Sequence, residues 1–105
     1  MADLLGRFRE PIHPDSLPIL CKDLLHCHLG GDAAILDPRT GIYYGLNRVG
    51  ARIWDHIAGQ KTVAQIERDL IEEFDVEPAV CSGDLSRFLK RMADSDLVRI
   101  EHAAL

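Results

Sequence analysis

The chain has 105 residues, 47% of them hydrophobic and 28% charged, which is enough for one modest hydrophobic core and too little for two. Its formal net charge of −5 argues against duplex nucleic acid as a partner. Duplex-binding proteins usually gain much of their affinity from basic residues that neutralise phosphates. Composition therefore predicts a single soluble domain with another kind of partner.

Cysteine usage and hydropathy predict a cytoplasmic protein. Cys21, Cys27 and Cys81 are scattered, odd in number and without a CxxC pair, unlike a disulfide framework. The N-terminal sequence lacks the basic and apolar regions of a signal peptide. No apolar run approaches the roughly 18 to 20 residues that a membrane span needs. We expect no membrane partner.

Residues 1–18 are predicted to form an extended N-terminal arm, followed by a folded domain over residues 19–105. Pro11, Pro14 and Pro18 fall close together in this arm. Each removes a backbone donor and biases the preceding residue towards extended geometry. We expect poor order there unless the arm docks on the domain.

Three short apolar runs predict an antiparallel meander. The run Ile19–Leu29 is followed by a Gly-Gly pair, and Ala33–Leu36 by the turn sequence Asp37–Gly41. Ile42–Leu46 returns as the third strand. The first run is also compatible with a helix over Asp23–Leu29, because short apolar runs are ambiguous by periodicity alone.

Three helices are predicted after the strands. Asn47 is a good N-cap for the first, which ends near Gly59, and Thr62 opens a capping box for the second. The third runs from about Pro78 to Ser95. The residues predicted to face the core are Val49, Ile53, Trp54 and Ile57 in the first, Val63, Ile66, Leu70 and Phe74 in the second, and Cys81, Leu85, Phe88, Leu89 and Met92 in the third.

This order of elements predicts an α+β fold, with a three-stranded antiparallel sheet followed by three helices. Three helices of this size joined by short turns, together with a small sheet, are typical of a winged helix-turn-helix-like domain. Residues 97–100 form a short apolar closing segment.

The sequence His26-Cys27-His28 invites a metal-site interpretation, which strand geometry disfavours. Alternate side chains of a strand point to opposite faces, so the three cannot converge on one ion. Two histidines alone leave a zinc site short of ligands. We predict two surface histidines, a small core cysteine and no metal or cofactor. No catalytic motif is present, and Cys27 as the nucleophile of a small enzyme is a minor alternative.

The strand Ile42–Leu46 is a candidate for peptide capture, because an edge strand can pair with an extended peptide through its backbone. Tyr43 and Tyr44 are typical of interface hot spots, and Arg87 and Arg91 of the third helix can pair with peptide carboxylates. An alternative is that the alternate residues Ile42, Tyr44 and Leu46 simply face the core.

A DNA-binding transcriptional regulator is another alternative for a winged helix. The candidate recognition helix carries Arg87, Lys90 and Arg91, but also three aspartates, and it lacks the amide side chains that read bases. We therefore expect no nucleic-acid partner.

The series YYGLNxxGxxIW, TVAQIERDLIEEFDVEP and DLSRFLKRMADSDLV resembles the PqqD family over about residues 29–100. That family includes the recognition elements of ribosomally made, post-translationally modified peptide (RiPP) pathways. The resemblance implies a non-catalytic protein that binds the leader of a precursor peptide as an extra strand, in the cleft between the third strand and the third helix. The Cys81-Ser82-Gly83 stretch departs from the strong helix formers expected at the start of that helix.

Carried over by position, the resemblance implies a strand side and a helix side of the binding site. Leu46 and Asn47 match structural positions, as a core residue and a helix cap. The implied contacts are Ile42, Tyr43, Tyr44 and Gly45 on the strand and Asp84, Leu85, Arg87, Phe88 and Arg91 on the helix.

The implied partners are a precursor peptide and the enzyme that modifies it. The chain is also similar to the discrete recognition proteins of lasso peptide biosynthesis, which work beside a leader peptidase and a macrolactam synthetase. The alternative within the family is a partner of a radical SAM enzyme in quinone cofactor biosynthesis.

Overall fold

The computed structural model describes residues 12–102 of the chain. They form five strands and three helices. The elements are β1 (Leu17–Leu20), β2 (Leu25–Leu29), β3 (Asp32–Asp37), β4 (Ile42–Leu46), α1 (Arg48–Ala58), α2 (Val63–Phe74), α3 (Pro78–Asp94) and β5 (Val98–Glu101).

The predicted meander is present as a three-stranded antiparallel sheet in the order β2-β3-β4. Gly30 in the first turn and Gly41 in the second have positive φ angles of 66° and 75°, which glycine adopts without steric cost. The amide of Gly41 donates to the carbonyl oxygen of Asp37 at 2.8 Å and closes the second turn. The sheet followed by three helices confirms the predicted α+β fold.

A second, two-stranded sheet was not predicted. β1 pairs with β5 antiparallel, with Leu17 opposite Glu101 and Leu20 opposite Val98. The predicted single strand over Ile19–Leu29 is therefore wrong, as is the alternative helix over Asp23–Leu29. The extended backbone is interrupted between β1 and β2 at Asp23, whose φ is 67°. The two strands on either side of this residue belong to different sheets.

The three helices begin where local capping predicts. Asn47 Oδ1 accepts from the Gly50 amide at 2.9 Å, and Thr62 and Gln65 form the expected capping box. Pro78 lies in the first turn of α3, which continues unbroken through Gly83. The departure at residues 81–83 therefore leaves the helix intact.

The core lies between the helices and the inner face of the larger sheet. Most of the predicted core residues are buried, whereas Val49 is 42% exposed. Phe74 and Phe88 are partly buried and pack against the core. The fully buried side chains include Ile35, Trp54, Ile57, Ile66, Leu85 and Leu89.

The prediction that Cys27 is a core residue is wrong. His26 pairs with the buried Ile35, so the histidines share the inner face of the sheet, and Cys27 lies exposed on the outer face. The histidines stay accessible because β2 is the edge strand, where the His26 ring lies 6.2 Å from that of Trp54 at the margin of the core.

Residues 12–18 of the predicted arm pack on the domain, whereas residues 1–11 lie outside the described part of the chain. Ser16 is fully buried, and its carbonyl oxygen accepts from the Val63 amide at 3.0 Å. The carbonyl oxygen of Pro14 accepts from the Ala64 amide at 2.7 Å. These bonds satisfy two free amides at the start of α2.

Glu73 of α2 ties α1 to α2 through an arginine and a buried histidine. It accepts from Arg52 Nε at 2.8 Å and lies 2.8 Å from His56 Nε2. Hydrogen bonding from Arg52 lowers the pKa of Glu73 to about 2 from an ordinary 4.5, against the opposing effect of burial. The ionised carboxylate therefore stabilises the folded state.

We expect Glu73→Gln to lower the free energy of unfolding by about 1 kcal/mol, as for a solvent-screened ion pair. Because the folded pKa is depressed, the difference from the wild type should be full above pH 4.5 and vanish as the pH falls towards 2. Urea denaturation across this range measures it. Glu72→Gln on the exposed side of α2 is the control, and an equal loss there would contradict the assignment.

The turn between β3 and β4 is tied to the end of α3 through Asp37 and Arg39. Asp37 is buried, and its two carboxylate oxygens accept from Arg39 Nε and Nη2, each at 2.9 Å. Arg39 Nη2 also donates to the carbonyl oxygen of Asp96 at 2.8 Å. The hydrogen bonds from Arg39 lower the pKa of Asp37, so the carboxylate stays ionised.

We expect Arg39→Ala to lower the urea midpoint at neutral pH, because it leaves the buried Asp37 carboxylate without its cation and frees the turn from Asp96. The control is Arg99→Ala, which removes an exposed arginine that pairs with Glu101 at 3.1 Å. Equal midpoints for the two variants would show that the Asp37–Arg39 pair does not hold the turn.

Candidate functional site

The hairpin between β2 and β3 determines which residues of β3 direct their N–H and C=O groups towards β2. Its two-residue turn has Gly30 at φ 66°, as in a type II′ turn. In such a hairpin the flanking residues, here Leu29 and Asp32, form a hydrogen-bonded pair. Hydrogen-bonded pairs alternate along the strand, so Ala34 and Leu36 also direct their backbone groups towards β2.

The other residues of β3 therefore bond to β4, which determines the free edge of the sheet. Ile35 is opposite Tyr44, so the backbone groups of Tyr44 are used within the sheet. Tyr43 and Gly45 direct their N–H and C=O groups away from β3. Because β4 is the last strand of its sheet, these groups have no strand partner within residues 12–102.

A groove of about 520 Å³ separates this free edge from α3. β4 forms one wall and the C-terminal half of α3 forms the other. The lining residues are Tyr43, Tyr44, Gly45, Leu46 and Asn47 on the strand side, and Phe88, Arg91, Met92, Ser95 and Leu97 on the helix side.

The two tyrosines contribute to the groove from opposite faces of the sheet. Tyr43 lies on the outer face and is 72% exposed. Tyr44 lies on the inner face, where it is half-buried and packs against the core together with Leu46. The groove thus combines a supported apolar floor with a large, exposed aromatic side chain at its rim.

Two further contacts hold the elements on either side of the groove in place. Arg39 links the β3–β4 turn to the backbone of Asp96, just after α3. In addition, α1 lies so close to α3 that a Cβ atom on Gly50 would stand 3.2 Å from Phe88 Cε2. These contacts set the spacing between β4 and α3.

Five of the nine predicted site residues line the groove: Tyr43, Tyr44, Gly45, Phe88 and Arg91. Ile42 begins β4 on the inner face and is 49% exposed, but it lies outside the lining. The predicted alternative, with alternate strand residues facing the core, describes Tyr44 and Leu46 well. It does not describe Ile42.

The other three predicted residues lie elsewhere on α3. Leu85 is only 1% exposed and packs in the core, behind the groove wall. Arg87 forms an ion pair with Asp84 on an exposed face of the helix. Asp84 and Leu85 line a neighbouring cavity of about 340 Å³ between the helices, which shares Asn47 and Phe88 with the groove.

Sequence reasoning missed the groove residues near the end of α3. Met92, Ser95 and Leu97 line it, together with Leu46 and Asn47, which were assigned only structural roles. The i, i+4 and i+7 helical spacing that begins at Phe88 could have indicated Met92 and Ser95. Leu97 requires knowledge of how the chain leaves the helix.

Of the described residues that line the groove, Arg91 is the charged one, and none is a histidine, a cysteine or a carboxylate. Among residues 12–102, no three or more histidine, cysteine, aspartate or glutamate side chains are arranged to hold a metal ion. Within the same residues, no helix combines the length and apolar character required to cross a membrane. The groove chemistry suits an extended apolar ligand with a negative charge near Arg91.

Three solved structures share this fold. The first, TbiB1 in complex with the TbiA(beta) leader peptide, has 27% identity and a TM-score of 0.74, and the match covers 77% of this chain and 94% of that chain. The second, lasso peptide synthetase B1 complexed with the leader peptide, has 20% identity and a TM-score of 0.71, with 78% of this chain and 96% of that chain covered. The third, the PqqD truncation of Methylobacterium extorquens PqqCD, a RiPP recognition element, has 19% identity and a TM-score of 0.70, with 85% of this chain and 95% of that chain covered. At 20% identity or less, the second and third support the fold alone.

No curated protein sequence matches the chain. The sequence model of the family described as coenzyme PQQ synthesis protein D (PqqD) does match, over residues 32–98. The matched segment runs from the first residue of β3 to the first residue of β5 and includes both walls of the groove. It spans well over half of the chain, which is therefore a member of the PqqD family.

Proposed function

We propose that this protein is a non-catalytic leader-peptide-binding protein, which captures the leader of a ribosomally made precursor peptide and delivers it to a modifying enzyme. The observation that carries the proposal is the free edge of β4 opposite α3. The likeness to leader-bound TbiB1, which extends over 94% of that chain, supports the same role.

The leader would bind as a fourth strand of the larger sheet. The outward N–H and C=O groups of Tyr43 and Gly45 can form four backbone hydrogen bonds with an extended peptide. The space around Gly45 is open, since even a Cβ atom there would meet no atom within 4 Å. Backbone pairing sets the register of the peptide and requires no particular sequence.

Selectivity would come from the side chains of the groove. Tyr44, Phe88 and Met92 offer apolar contacts to alternate residues of a bound strand, and Arg91 offers a charge-assisted contact to a carboxylate. The preferred leader therefore has apolar side chains on the face turned to α3 and an acidic residue near Arg91.

Among the described residues, the groove lining contains no histidine, cysteine or carboxylate, which supports a binding role. The cysteines lie elsewhere, with Cys27 on the outer face of the sheet. Burial raises the pKa of Cys81 and of Cys21, which disfavours their thiolate forms. The rapid alkylation expected of a nucleophilic Cys27 at neutral pH would contradict the non-catalytic assignment.

The proposed setting is the cytoplasm, where the partner enzyme acts on the delivered peptide. In a lasso peptide pathway the partners would be a leader peptidase and a macrolactam synthetase. The family description, coenzyme PQQ synthesis protein D, favours a radical SAM enzyme of quinone cofactor biosynthesis as the second candidate. An affinity pull-down from the native cell with mass spectrometry distinguishes them by the enzyme recovered with the precursor peptide.

We expect Tyr43→Pro to abolish binding of the recovered leader, because proline removes one of the outward N–H donors of β4. Fluorescence anisotropy with the synthetic leader measures the affinity, and a scrambled peptide tests specificity. His28→Pro makes the same change at the opposite edge of the sheet and should leave the affinity unchanged. Equal affinity for Tyr43→Pro and the wild type would exclude strand addition at β4.

We expect Arg91→Glu to weaken binding of an acidic leader by about fivefold, or about 1 kcal/mol, and to reverse its dependence on salt. Arg87→Glu is the matched control, since Arg87 is one turn away on α3 and lies outside the groove lining. A larger effect at Arg87 than at Arg91 would place the peptide carboxylate outside the groove.

A further inference from the structure

Within residues 12–102, β2 forms the second free edge of the larger sheet, opposite β4. All five of its residues are exposed, with Leu25 at 58% and Leu29 at 64%. Edge strands are usually protected by a proline, a lysine, a bulge or a covering element, and β2 has neither proline nor lysine and pairs with β3 in a continuous register. β1, by contrast, is at most partly exposed and carries Pro18.

The sequence of β2, Leu-His-Cys-His-Leu, reads the same in both directions from Cys27. Two antiparallel copies centred on this residue would place Cys27 opposite Cys27, each Leu25 opposite Leu29 of the other copy, and each His26 opposite His28. A two-fold interface requires this kind of self-complementarity, since the same surface must serve on both copies.

The backbone of β2 has the orientation that this pairing needs. Leu29 and Cys27 bond to β3, so His26 and His28 direct their N–H and C=O groups to the free edge. In the symmetric pair, His26 and His28 of opposite copies form two hydrogen-bonded pairs with four backbone bonds. The two Cys27 residues form the non-hydrogen-bonded pair on the axis, with Cα atoms about 4.5 Å apart.

We propose that two copies of this chain associate through their β2 edges into a continuous six-stranded sheet. On the outer face the contact brings together Leu25 and Leu29, the two exposed leucines of β2, and removes apolar surface from water. The strand order becomes β4-β3-β2-β2-β3-β4. Both groove edges stay at the outside of the sheet, so association is independent of the proposed peptide binding.

Sedimentation velocity of the full chain under reducing conditions tests the association. We expect a concentration-dependent monomer–dimer equilibrium that Cys27→Lys abolishes, because it places two like charges opposite each other on the axis. Cys27→Ser, a neutral replacement of similar size, should retain the dimer. Circular dichroism verifies that both variants fold. A wild type that is monomeric at every concentration, or a Cys27→Lys variant that still dimerises, would overturn the proposal.

Disulfide cross-linking tests the register. Diamide, which accepts the two electrons and two protons lost by a pair of thiols, should link Cys27 to Cys27, since their spacing falls within the range of about 4.4 to 6.8 Å that disulfides span. The control replaces Leu29 by cysteine in the Cys27→Ser background. Its two thiols would lie about 13 Å apart along the strands and should link far more slowly. Equal rates would exclude pairing centred on Cys27.

Discussion

The pairing of β3 with both of its neighbours determines what the rest of the molecule can present. β3 is the central strand, and its hairpin with β2 fixes which of its backbone groups point to β4. Because of that constraint, the backbone N–H and C=O groups of Tyr43 and Gly45 face away from β3. The side chain of Tyr44 packs against the core. A shift of one residue would exchange these roles, since successive strand residues face opposite sides.

The second wall of the groove distinguishes the two edges of the sheet. At β4, α3 supplies Phe88, Met92 and Arg91 beside the free backbone, so an added strand gains side-chain contacts as well as hydrogen bonds. In the described part of the chain, β2 has no such wall, and its sequence is complementary to itself. The same sheet is therefore suited to a foreign peptide at one edge and to a second copy of the chain at the other.

Local signals predicted most of the fold, and long-range packing determined the remainder. The Asn47 cap, the Thr62 capping box and the Asp37–Gly41 turn act within a few residues, and each was recognised from the sequence. The β1–β5 sheet joins two four-residue strands from opposite ends of the domain, and neither carries a signal for the other.

The candidate site was predictable to a similar extent. The strand side was implied by the family resemblance, and three of its four residues line the groove, whereas the helix side depends on how α3 is rotated and where it ends. This packing places Arg91 in the groove and Arg87 beside Asp84, although both lie on the same helix.

The most direct measurement of the central claim is amide hydrogen exchange, monitored by NMR with and without the recovered leader peptide. Strand addition at β4 predicts slower exchange at Tyr43 and Gly45, and much smaller changes at Tyr44 and along β2. Unchanged exchange at Tyr43 and Gly45 in the complex would contradict it.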